Sequence, residues 1–313
     1  MSLAARPVLA GRYKLLTSIG SGGMGEVFVA EHLPSRQIVA IKLLSATLLN
    51  PRHVARFVRE ARVMLRLRGR HVARIIDVGR VDSNQPYIVM EHLQGQDFAR
   101  LLQTRGRLGV EDAVGAVIQA SSALEEAHSM GIVHRDLKPS NLFLTRGPDG
   151  RFMVKVLDFG ISMIPEELGW DRITASAEVF GTPEYMSPEQ ARSAKQVDAR
   201  TDIWSLGLIL AECLSGIPVF KGAMQLAALV DGTGDPHPNL HLEGTDVPPE
   251  LEAVIVRCLE KEPCDRYQDV AELAKALSPF APREAVLSSL SVVPVALNPS
   301  TLDDATTLEQ VTR

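Results

Sequence analysis

A change of periodicity about a third of the way along the chain constrains its fold most. Over residues 13–44, short β-branched runs such as Val27, Val29 and Ile38-Val39-Ala40-Ile41 are broken by turn residues like Pro34-Ser35, the pattern of three strands. A helix is expected to start at Asn50-Pro51, with Asn as N-cap and Pro at the first helical position. Val54, Phe57, Val58, Ala61 and Leu65 would form its apolar stripe. Two further strands are expected at 72–81 and 87–93. Beyond Gly95 the pattern turns helical: 111–130, closed by Gly131, then 202–214, 249–260 and 269–277. Strands first and helices afterwards describe an α+β fold of two lobes, with a boundary near 93–96.

Composition supports a packed core. Of 313 residues, 45% are hydrophobic and 23% charged. A net charge of -5 carries no basic excess of the nucleic-acid-binding kind. Cys213, Cys258 and Cys264 form no CxxC pair and read as free thiols of a reducing, cytoplasmic compartment. Residues 1–10 lack the apolar core of a secretory signal. No apolar run approaches the roughly 18 residues of a membrane span.

The chemistry is carried by spaced motifs. Gly20-Ser21-Gly22-Gly23-Met24-Gly25-Glu26-Val27 lies between two expected strands, where glycines let backbone amides approach a phosphate. A dinucleotide-binding turn would open a helix instead. Lys42 ends the apolar run Val39-Ala40-Ile41, and Glu60 on the following helix is expected to pair with it. An ammonium held by a carboxylate is a clamp for α- and β-phosphates. His134-Arg135-Asp136-Leu137-Lys138-Pro139-Ser140-Asn141 is followed seventeen residues later by Asp158-Phe159-Gly160. Together these supply one acid to orient a hydroxyl and hard oxygens for Mg²⁺, the needs of phosphoryl transfer from ATP.

Taken in order, these segments resemble the signature set of eukaryotic-type protein kinases. The resemblance continues through Gly181-Thr182-Pro183-Glu184-Tyr185-Met186-Ser187-Pro188-Glu189, with Ser where Ala is usual, through Asp202-Ile203-Trp204, and through Arg266, similar to the arginine that pairs with the acid at Glu189. Met24-Gly25 and Ser187-Pro188-Glu189-Gln190 look most like the bacterial Hanks-type serine/threonine kinases. The resemblance implies a bilobal fold: an extension over 1–12, a kinase domain over 13–280 (lobes 13–93 and 96–280) and a flexible tail over 281–313. It implies ATP with Mg²⁺ (or Mn²⁺), and protein substrates bearing Ser or Thr. It implies Asp136 as the hydroxyl-orienting base, Lys138 on the γ-phosphate, and Asn141 and Asp158 on the metal. Lys42 and Glu60 complete the phosphate clamp. Ile19, the glycine-rich loop from Gly20 to Val27, Ala40, the gatekeeper Met90, backbone groups of Glu91 and Leu93, and Phe143 would surround the nucleotide. Glu189, Asp202 and Arg266 would be structural. A partner-binding pseudokinase usually lacks one of Lys42, Asp136, Asn141 or Asp158, and small-molecule kinases generally lack the Ser-Pro-Glu segment end, Asp202 and Arg266; this chain has them all.

Between Asp158 and Glu189, Thr174, Ser176 or both are expected to take an activating autophosphorylation, with Arg135 as the cation that receives the phosphate and self-association of the kinase as a route to it. Thr182 would position substrate. The arginines at 52, 56, 59, 62, 66, 68, 70 and 74 read as a solvated helix face. His134 reads as a packing residue.

Overall fold

The computed structural model describes residues 7–22, 25–45, 51–81, 85–159, 183–192, 197–221 and 238–282. These fall into two compact units, one of residues 7–68 with 73–94, the other of 69–72 with 95–282.

The first unit is an antiparallel six-stranded sheet ordered β1-β2-β3-β4-β6-β5, from β1 (Val8–Leu9), β2 (Tyr13–Gly22), β3 (Gly25–His32), β4 (Gln37–Leu44), β5 (Ile75–Arg80) and β6 (Pro86–Glu91). Alternation along each strand separates two faces. Phe28 and Ala30, Val39, Ile41 and Leu43, and Tyr87 and Val89 share one buried cluster with Tyr13 and Leu15. The Tyr13 hydroxyl escapes that cluster by donating to Asp77 at 3.1 Å. Burial, and then the Asp77 charge, push its pKa up to about 12. The opposite face carries Val27 beside Lys42, Lys42 beside Ile88, and Ala40 beside Val29 and Met90. Helix α1 (Pro51–Met64) packs on β5 and β6 and buries Val54, Phe57, Ala61 and Met64. Leu65, expected in that stripe, lies past the helix end and is half-buried; Leu67 takes the core position.

The second unit is mainly helical: α2 (Phe98–Arg105), α3 (Val110–Ser129), α4 (Pro188–Arg192), α5 (Arg200–Ser215), α6 (Pro249–Cys258) and α7 (Val270–Leu277). It also holds a three-stranded antiparallel sheet where the sequence suggested helix alone, made of β7 (Gly95–Asp97), β8 (Leu142–Arg146) and β9 (Phe152–Val156). Its hairpin closes through Gly147-Pro148-Asp149-Gly150, with Gly150 at φ +76° and its N–H on the Gly147 carbonyl. Among the described residues no helix is long and apolar enough to cross a membrane.

Helix α5 is buried all round, from Thr201 to Leu214, as expected of a helix at the centre of a helical unit. Beside it Arg266 is fully buried, and all five of its N–H donors are used. Two reach the Glu189 carboxylate at 2.8 Å each, and the others reach the carbonyls of Glu260, Arg200 and Lys261 at 2.8, 3.2 and 3.2 Å. Its guanidinium carbon also lies 5.0 Å from the centre of the Trp204 ring. The thiols of Cys213 and Cys258 are buried and pushed up by desolvation, so they stay protonated.

Truncating one member of this buried pair strands the other charge, which costs about 3–5 kcal/mol. Arg266→Ala is therefore expected to lower urea-unfolding stability by that order. Because the pair acts as one unit, Glu189→Gln combined with Arg266→Met should cost clearly less than the two single changes added together. Strict additivity in that double-mutant cycle would show the pair to be energetically idle.

Candidate active site

In the first unit, the glycine-rich segment is the hairpin end of β2 and β3, with Gly20 opposite Val27, Ser21 opposite Glu26, and Gly22 opposite Gly25. Gly25 has φ +147°, and a Cβ there would lie 1.9 Å from the Leu43 carbonyl oxygen, so only glycine fits against β4. The glycines therefore join two antiparallel strands and do not open a helix. Gly23 and Met24 lie outside the described residues. Ile19, beside an irregularity in the β2 register, is 46% exposed.

Lys42 is 7% exposed, in a strand otherwise apolar from Ile38 to Leu44, on the face that also carries Val27, Ala40 and Met90. Four residues assigned to the nucleotide from sequence thus share one side of the sheet, opposite the apolar cluster. Glu60 is half-buried on α1. At the end of β6, the Glu91 N–H donates to the Arg74 carbonyl at 3.0 Å and its side chain accepts the Arg74 N–H at 2.8 Å, which leaves any nucleotide contact of that backbone to its carbonyl. Leu93 follows, half-buried.

In the second unit, the carboxylate of Asp202 organises the loop before β8. It has no exposed surface, sits in the first turn of α5, and accepts the N–H groups of His134 and Arg135 at 2.9 Å each and the His128 imidazole at 2.7 Å. Arg135 is thereby held at φ +64°, a left-handed conformation that costs roughly 1–2 kcal/mol for a side-chain-bearing residue. The Gln190 amide secures the other side of that peptide by donating to the Arg135 carbonyl at 2.6 Å. His134 is fully buried, its Nε2 lies 2.8 Å from the Leu157 carbonyl, and its ring packs 5.1 Å from Phe159.

The loop presents Asp136 partly exposed, with the Lys138 ammonium 3.2 and 3.0 Å from its two oxygens. Asn141 is buried, and its Nδ2 donates to the Asp136 carbonyl at 2.6 Å, which turns Oδ1 away as an acceptor. The Leu157 N–H donates to the Asn141 carbonyl at 2.9 Å and so brings Asp158 next to Asn141. Asp158 is half-buried at φ +53°, a second left-handed side-chain-bearing residue. Phe143, on β8, lies between Asp97 and Lys155 in the sheet.

Gly160, Thr174, Ser176 and Thr182 lie outside the described residues. After them, Ser187 caps α4. Its Oγ accepts the Gln190 N–H at 3.3 Å and lies 2.6 Å from the Thr201 hydroxyl, which gives serine a use alanine could not have. Tyr185 donates its hydroxyl to the buried Glu212, and the Ser205 hydroxyl donates to the Tyr185 carbonyl at 2.9 Å. Burial is the first cause that raises the pKa of both Tyr185 and Glu212. No role was assigned from sequence to His128, Gln190 or Glu212. His128 stands in the last turn of α3, where a cation is favoured, but nothing local marks the other two.

A family model described as "Protein kinase domain" matches residues 13–277. The chain is 38% identical over 270 residues to the serine/threonine-protein kinase PknB of Mycolicibacterium smegmatis, which covers 85% of this chain and 42% of that protein. It is 38% identical over 262 residues to the serine/threonine-protein kinase pkn3 of Myxococcus xanthus, covering 82% and 48%. Among solved structures, the Mycobacterium tuberculosis PknI kinase domain superposes with a TM-score of 0.70 at 28% identity, over 90% of this chain and 100% of that one. The chain thus spans less than half the length of the two full-length relatives.

The burial of Glu212, which raises its pKa against the opposing effect of the Tyr185 hydrogen bond, makes stability depend on pH. A folded-state pKa raised above the unfolded one means that the contribution of Glu212 is fully present in acid and is lost as pH rises from its ordinary value of 4.5 through the folded value. Glu212→Gln, which keeps an acceptor for Tyr185 and mimics the protonated acid, is expected to gain on the parent protein as pH rises from 5 to 8 in urea unfolding. A stability difference that stays flat over that range would contradict this reading.

Proposed function

Because the chain belongs to the protein kinase family, we propose that it transfers the γ-phosphoryl group of ATP to serine and threonine hydroxyls of proteins, through a kinase domain spanning 13–280. The observation that carries the reading is the braced loop: Asp136 faces outward, Lys138 touches both of its oxygens, and Asn141 is locked to its carbonyl. In this role Asp136 orients the substrate hydroxyl and takes its proton late in the transfer, while Lys138 steadies the moving phosphoryl group. Lys42, oriented by Glu60, holds the α- and β-phosphates. Val27, Ala40, Met90 and Phe143 enclose the adenine, and Glu91 and Leu93 meet its edge with backbone groups.

The donor set fits Mg²⁺. Asn141 has its nitrogen engaged and offers Oδ1, and Asp158 offers a carboxylate; both are hard oxygens. When bound, Mg²⁺ neutralises phosphate charge. An ATP requirement and unpaired thiols favour a reducing, ATP-containing compartment.

Activation is read as autophosphorylation of Thr174 or Ser176, with Arg135 as the receiving cation. In support, the Arg135 Nε is buried without a hydrogen-bond partner among the described residues, a donor that a phosphate could satisfy.

Asp136→Asn is expected to lower kcat by about 10²–10⁴ while leaving the KM for ATP nearly unchanged. Turnover equal to that of the parent protein would remove the role given to Asp136. Intact-mass and peptide mass spectrometry after incubation with Mg-ATP should find phosphate on Thr174 or Ser176, and Thr174→Ala with Ser176→Ala should lower activity at least several-fold. A fully active enzyme with both hydroxyls unmodified would end the activation proposal.

A further inference from the structure

Arg59 and Arg62 of α1 and Arg66 just past its end, read from sequence as part of a solvated face, border a groove of about 630 Å³ between that helix and β5. Val58, Val63 and Val78 give it an apolar floor, Arg59, Arg62 and Arg66 stand exposed along its rim, and no carboxylate lines it. No side chain of these three arginines makes an ion pair or hydrogen bond among the described residues. Residues 51–70 contain seven arginines and a single acid, Glu60, in a chain whose net charge is -5. Such a field attracts an anionic segment, and the apolar floor selects one that also carries aliphatic side chains.

The chain contains a segment of that composition. Between Glu284 and Arg313 there is no Lys or Arg, and Leu302-Asp303-Asp304 and Leu308-Glu309 place leucines beside acids. We propose that residues 299–312 dock in the α1–β5 groove of the same chain, with their carboxylates on the arginine rim and Leu302 and Leu308 on the valine floor. The connecting residues 283–298 can extend over roughly 50 Å. Tethering supplies an effective concentration of order millimolar, so a weak intrinsic affinity suffices. Docking there would tie α1 to β5 through a segment that salt or a change of charge can release. The proposal does not rest on the catalytic reading, and its test reads contact and not turnover.

The test uses the full chain, phosphatase-treated so that carboxylates alone supply the charge, with a photo-crosslinking amino acid replacing the exposed groove residue Ala55. Equal amounts of ¹⁵N-labelled and unlabelled protein are mixed before irradiation and mapped by mass spectrometry. The expected result is a crosslink to 299–312 within one isotopic population, reduced at least about five-fold in Asp303→Asn/Asp304→Asn/Glu309→Gln. Recovery is expected when Arg62→Glu/Arg66→Glu is combined with Asp303→Arg/Asp304→Arg. Absence of that crosslink, indifference to neutralisation, or crosslinks only between differently labelled chains would each overturn the proposal, the last by pointing to a second copy. Should the Ala55 variant fold poorly by circular dichroism, the probe at exposed Arg59 serves the same comparison.

Discussion

The Asp202 carboxylate sits in the first turn of α5, wholly removed from water, and accepts two consecutive backbone N–H groups and an imidazole. Burying a charge costs several kcal/mol unless it is hydrogen-bonded on every side. Here three donors and the positive end of a helix offset that cost. The price is a constraint: His134 and Arg135 must both point their N–H groups at one acid, which forces Arg135 into a left-handed turn. That turn aims Asp136 outward, and the 3-10 turn at Pro139–Asn141 that follows lets the Asn141 amide close back on the Asp136 carbonyl. The positions of Asp136, Lys138 and Asn141 are thus consequences of where one buried acid finds its donors.

The first unit solves a different problem, how to keep a lysine in the middle of an apolar strand. Strand alternation does it. The odd-numbered residues of β4 complete the Tyr13–Phe28–Tyr87 cluster, and the even-numbered ones, Ala40 and Lys42, fall on the other side. A one-residue slip of β4 against β3 would drive Lys42 into the cluster and expel Ile41, so the apolar face fixes the register that the functional face needs. Gly25 protects the same register, because any side chain there would strike the Leu43 carbonyl.

Where signals were local, the sequence could be read directly. Strands β2 to β6 of the first unit, Pro51 as the first residue of α1, and α3, α5, α6 and α7 follow from periodicity and punctuation; β1 (Val8–Leu9) falls where the sequence reads as an extension. The small sheet of the second unit did not come through, although Leu142-Phe143-Leu144 and Phe152-Met153-Val154 flank Gly147-Pro148-Asp149-Gly150, a hairpin signal. Its strands are five residues or shorter and buried, so they lack the alternation that distinguishes strand from helix. For the site, residue types and spacing pointed to Asp136, Asn141 and Asp158, but not to what holds them. Gln190 reaches the Arg135 carbonyl across 55 positions and Glu212 reaches Tyr185 across 27. Partnerships at such separation leave no periodic trace in a single sequence.

Two features of charge follow from the same physics with opposite outcomes. Arg266 and Asp202 are buried, and every polar atom of theirs that points inward meets a partner, so they act as fixed joints. The rim arginines Arg59, Arg62 and Arg66 are exposed and meet no acid along the groove. Exposed charge of one sign contributes little to folding and is strongly salt-dependent. Its natural use is recognition, because the free energy that a fixed joint has already spent internally remains, on this surface, to be satisfied by an incoming anion.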